Sequence, residues 1–122
     1  ANDAVNTIEI LKTIHDEYPN NTDIAMEYAS GLVNMSAKQS ANDAVNTIEI
    51  LKTIHDEYQD NTDIALRYAI GLAILAAKQS TLEAFNTIEK LKSLSEKWKS
   101  SSEIEAVYKI ALEYFNQKDT KS

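Results

Sequence analysis

The run Ala1-Asn2-Asp3-Ala4-Val5-Asn6-Thr7-Ile8-Glu9-Ile10-Leu11-Lys12-Thr13-Ile14-His15-Asp16-Glu17-Tyr18 recurs unchanged as Ala41 to Tyr58. Extended over residues 1–40 and 41–80, the match is 31 of 40 positions. A third, diverged copy fills 81–120 without gaps, held in register by Asn86-Thr87-Ile88-Glu89, Leu91-Lys92, Ile104, Tyr108, Ile110, Leu112 and Lys118. Self-similarity at a fixed spacing of this size is the mark of a repeat architecture. The period is 40 residues, giving units 1–40, 41–80 and 81–120 in one domain, 1–122. Copies this alike mean a recent duplication or an engineered one.

Each unit reads as two helices. In the first, Ala4, Ile8, Leu11, Ile14, His15 and Tyr18 share one face at three-to-four spacing, with Asn2, Asn6, Glu9, Thr13 and Asp16 opposite. Pro19-Asn20-Asn21 interrupts it, and Asn21 or Thr22 can cap the next helix. The second helix aligns Ile24, Tyr28, Leu32 and Met35, with Ala25, Ala29 and Ala37 alongside, and stops near Lys38. In the third unit, Ser80-Thr81-Leu82-Glu83 and Ser102-Glu103-Ile104-Glu105 both have capping-box spacing. Residues 119–122 are expected to fray. Short connections make successive helices antiparallel neighbours. The expectation is an all-α fold: an α-solenoid of three antiparallel helix-turn-helix repeats, six helices in all.

Composition narrows the chemistry. The 122 residues include 12 basic and 19 acidic side chains, a formal charge of −7, with 43% apolar residues to build a core. There is no cysteine, which excludes disulfides and thiolate metal sites. Two glycines and one proline are too few for the turns of an all-β fold. The acidic balance argues against a nucleic-acid partner, and no apolar run is long enough for a membrane span. With no signal peptide visible, a cytoplasmic setting is expected.

Substitutions between copies suggest which faces meet. Ala25, Ala29, Val33 and Ala37, and likewise Ala65, Ala69, Ala73 and Ala77, become Glu105, Lys109, Glu113 and Gln117 in the third unit. Ile10 and Ile50 become Lys90. These positions are expected to dock the following unit. Conversely, Ser30 and Asn34 become Ile70 and Ile74, then Ile110 and Tyr114, which are expected to face the preceding unit. Both ends would then be solvated, as a soluble solenoid needs. The helix from Ile64 to Lys78 is apolar on nearly every side and belongs inside.

Catalytic and metal chemistry finds little footing. His15 and His55 lie in apolar stripes without a second ligand at i+3 or i+4, so they read as structural. Gly31 and Gly71 lie within helices, where close packing is the expected compensation for their cost. No nucleophile–base set, phosphate loop or cofactor motif is present, and an enzyme is not expected. The polar row Asn6-Glu9-Thr13, repeated at 46-49-53 and 86-89-93, reads as a solvated face rather than a recognition strip. Lys90, Lys92, Lys97 and Lys99 make a basic edge opposite an acidic N-terminal half.

Tyr28-Ala29-Ser30-Gly31-Leu32 and Tyr68-Ala69-Ile70-Gly71-Leu72 resemble the first-helix core of tetratricopeptide-like (TPR-like) repeats. In that shifted frame Ala44, Ile48 and Leu51 are similar to the family's second-helix packing positions, and Pro19 to its closing proline. The departures are a 40-residue period, Gln59 and Lys99 in place of the proline, and no match at the tryptophan position. The resemblance implies a scaffold for protein–protein or protein–peptide interaction, with a concave groove near Glu27, Ser30, Asn34, Arg67, Ile70, Ile74, Val107, Ile110 and Tyr114. That groove competes with packing between units for Ile70, Ile74, Ile110 and Tyr114, and packing is the favoured expectation. The alternative is an engineered or excised structural array without an evolved ligand. A monomer is expected, with self-association left open because identical units can swap or slip register.

Overall fold

The computed structural model describes the backbone of residues 2–121 and the side chains of residues 7–117. Ala4 and Asn6, assigned above to the buried stripe and the polar row, fall outside the described side chains. Six α-helices form, and among the described residues there is no strand: α1 (Asn2–Glu17), α2 (Thr22–Lys38), α3 (Ala41–Glu57), α4 (Thr62–Lys78), α5 (Thr81–Lys97) and α6 (Ser102–Lys121).

Local chemistry sets where helices start. Asn21 and Asn61 hold extended backbone and accept the amides of Ile24 and Ile64, while Ser40 and Ser80 do the same for Asp43 and Glu83. Each satisfies one of the donors that a helix N-terminus leaves free. Ser80 Oγ also donates to Glu83 Oε1 at 3.1 Å, as its box spacing suggested. At α6 the expected cap moves back by one residue. Ser101 Oγ, not Ser102, accepts the Ile104 amide at 3.2 Å, which puts it in register with Asn21 and Asn61. The turn before each of these caps is closed alike, by Asn21, Asn61 and Ser101 amides donating to the carbonyls of Tyr18, Tyr58 and Trp98. Asp119 to Lys121, expected to fray, continue α6 because no glycine or proline precedes them to stop it. Ser122 lies outside the described residues.

Each helix packs on the next, and in addition α2 packs on α4 and α4 on α6. Among the described residues no Cα atoms of α1 and α3, or of α3 and α5, come within 8 Å. The even-numbered helices therefore form one continuous layer, and the odd-numbered ones lie beside it with their backbones farther apart. Small residues let the even layer close: Ala25, Ala29, Ala65 and Ala69 are all fully buried. α4 touches four neighbours, in keeping with its all-round apolar sequence. The glycines mark the tight crossings. A Cβ at Gly71 would lie 2.7 Å from Ile48 Cδ1 and 2.8 Å from Leu51 Cδ2; at Gly31 it would meet Ile8 Cδ1 at 2.8 Å.

Several expected docking positions are exposed instead. Ala37 and Ala77, in the last turns of α2 and α4, face solvent, and Ala73 is half-buried. Ile10 and Ile50 are exposed at 59% and 40%, so their replacement by Lys90 does not mark a covered face. Ser30 and Asn34, expected to be solvated at the first unit, divide. Asn34 is exposed, and Ser30 Oγ accepts Arg67 Nε of α4 at 3.1 Å, reaching forward. Tyr18, expected on the buried stripe, is 57% exposed.

Candidate functional site

The expected groove residues divide into two groups. Ile74, Ile110 and Tyr114 come together at a cleft between α4 and α6, with Ala73, Ala77 and Ala111 among its walls and a volume of about 260 Å³. Small alanines on α4 leave the space that larger side chains would fill. Ile110 and Tyr114 are 69% and 53% exposed, which overturns the expectation that they pack against the preceding unit. They sit about two and three turns along α6 and one turn apart. Ile70 and Val107 are half-buried nearby in sequence but do not line the cleft.

The remaining candidates lie toward the other end of the even layer. Glu27 and Asn34 are exposed on α2, and Arg67 is half-buried, held by its bond to Ser30. A second link crosses the same pair of helices: Lys78 Nζ donates to the Ala37 carbonyl at 3.1 Å. A lysine there also suits the negative end of the α2 dipole. This half of the layer is thus polar and bridged, whereas the α4–α6 half is apolar and open. Reading the sequence missed Ala73, Ala76, Ala77, Ala111 and Phe115 as cleft walls. The signal was present in the alanine pattern but pointed equally to packing.

The histidines are buried at 5% exposure each and sit beside tyrosines. His55 stacks on Tyr68 with ring centroids 5.4 Å apart, and His15 is tilted against Tyr28 at 5.7 Å. Their Nδ1 atoms are buried without a hydrogen-bond partner, so these rings are held by apolar contact more than by polar satisfaction. Identical sequence around them meets different charges from the next unit. His15 Nε2 lies 3.5 Å from Glu57 Oε2, whereas the aligned position facing His55 is Lys97. Burial first, and then the Lys97 charge, hold the His55 pKa below the ordinary histidine value. Burial also pushes the Tyr68 phenol up to about 12.

Among the described residues no cluster of three or more His, Asp or Glu side chains is placed to hold a metal ion. No described helix is long and apolar enough to cross a membrane. The polar row Glu9, Thr13, Glu49, Thr53, Glu89 and Ser93 is exposed, and the Thr13 and Thr53 hydroxyls donate to their own helix at Glu9 and Glu49 carbonyls. Lys90, Lys92, Lys97 and Lys99 are exposed as well. Compared with protein-family models, curated proteins and solved structures, the chain matches none.

Proposed function

We propose that the chain is a non-enzymatic, TPR-like scaffold: three antiparallel helical hairpins stacked as a solenoid with the 40-residue period of the sequence. Its even-numbered helices line the working face, and that face receives a protein or peptide segment. The packing of α2 on α4 on α6, with the backbones of α1, α3 and α5 farther apart, supports this stacking. The observation that carries the binding role is the α4–α6 cleft, where Ile110 and Tyr114 stand exposed next to Ile74 and Ala77. Exposed apolar groups gathered at a concave, alanine-walled cleft favour an aliphatic or aromatic side chain of the partner as the anchor. Arg67 and Glu27 would then meet polar groups further along the same segment.

The test is a titration with N-acetyl-leucine amide and N-acetyl-tryptophan amide, read by methyl NMR. Saturable shifts at Ala73, Ala77 and Ala111, lost in Ile110→Glu, are the expected result. No saturable shift at these methyls overturns the binding role. The unbroken identity of residues 1–18 and 41–58 favours a second reading, an engineered or excised array without an evolved ligand. A blank titration is what that reading expects.

A further inference from the structure

Residues 41–80 depart from residues 1–40 at only nine positions, and the departures gather at the α4–α6 cleft. Ala73, Ile74, Ala76 and Ala77 make its α4 wall, and three of these four differ from their α2 counterparts. Val33 becomes Ala73, which is two carbons smaller. Asn34 becomes Ile74 and loses its amide, and Ser36 becomes Ala76 and loses the hydroxyl that donates to the Val33 carbonyl at 2.8 Å. Both helices pack on a following even-numbered helix, α2 on α4 and α4 on α6, so two junctions inside the chain are being compared. At the first junction Val33 is 9% exposed; at the second the smaller Ala73 is half-buried. The hollow therefore belongs to the second junction, made by taking away bulk at 73 and polarity at 74 and 76.

The walls also say what would fill it. Across from these aliphatic groups α6 contributes the rings of Tyr114 and Phe115, and Tyr114 alone among the lining residues carries a polar side-chain atom. A charged guest would lose its water there without gaining a partner. An apolar cavity of roughly 150 Å³ takes up benzene, so a cleft of about 260 Å³ has room for a second fused ring. Two aromatic rings in the wall favour an aromatic guest over an aliphatic one, through edge and face contacts. We propose that the cleft selects a tryptophan side chain of the partner segment over an aliphatic one, with Ala73 setting that choice by leaving space for the second ring. The anchor so named rests on the binding role proposed above.

The test titrates N-acetyl-tryptophan amide and N-acetyl-leucine amide into the unmodified chain and into Ala73→Val, which restores the residue of α2, and follows the Ala77 and Ala111 methyl signals. In the unmodified chain the tryptophan amide is expected to bind at least about fivefold more tightly. In Ala73→Val it should weaken by about fivefold or more, and the leucine amide by less than about twofold, so that the preference is lost. Thermal melting checks that the variant keeps its fold, and the ranking in the unmodified chain is read without any substitution. Equal or tighter binding of the leucine amide, or equal weakening of both ligands by Ala73→Val, overturns the choice of anchor and leaves the binding role standing. Saturation by neither amide overturns the binding role and the anchor with it.

Discussion

Single residues in this molecule are judged by what the neighbouring unit presents to them. Gly71 and Gly31 hold the same place in consecutive units, but the surroundings of Gly71 are tighter, with Ile48 and Leu51 both buried against it. Replacing glycine by alanine within a helix gains about 1 kcal/mol, while overpacking a core costs roughly 1–3 kcal/mol. Gly71→Ala is therefore expected to lower stability by about 1 kcal/mol. Gly31→Ala should be near neutral, because half-buried Ile8 can move aside. Urea unfolding of the two variants checks the order. His55 supplies a pH effect. Its depressed pKa means that, below about pH 6.5, the unfolded chain takes up a proton that the folded ring resists. Its contribution to stability is complete above that pH and is lost as pH falls through the folded value. His55→Ser, which copies the serine found at Ser95, should flatten the fall in urea midpoint between pH 7.5 and 5.5. An unchanged slope would mean that the ring titrates freely.

At the level of elements, α4 is the keystone, and its two faces carry different risk. Ala69 is fully buried in the even layer, so Ala69→Asp buries an unpaired charge and should cost about 4 kcal/mol. Ile74 is half-buried at the cleft, where a carboxylate can keep water, and Ile74→Asp should cost only about 1–2 kcal/mol. Thermal unfolding compares them directly; equal losses would mean that the cleft is closed. The existence of each helix was legible in the sequence, because asparagine and serine caps and the three-to-four apolar spacing are local signals. The buried alanines at 25, 29, 65 and 69 were legible too, from their replacement by charge in the third unit. What could not be read was how far covering extends along a helix. Ala77 and Ala69 are the same residue type in one row, yet one lines an open cleft and the other is sealed.

For the whole molecule the same limit appears between units. Ile14 and Ile54 sit in identical runs of 18 residues and differ in burial, so no local pattern could have told them apart. The candidate site was legible only in part for this reason. Ile74, Ile110 and Tyr114 were named from a resemblance and meet at the cleft, while Ser30 and Arg67, named as groove positions too, bond to each other away from it. Position in the stack decides exposure, and position is set by contacts between helices 40 residues apart. The central claim is that the even-numbered helices pack directly on one another while the backbones of the odd-numbered ones are farther apart. Since the chain has no cysteine, paired spin labels can be introduced cleanly at residues 27 and 67, and separately at 9 and 49. Both pairs are 40 positions apart in sequence. Double electron–electron resonance should give a shorter distance for 27–67 than for 9–49; equal distances, or a shorter 9–49 distance, would contradict the account.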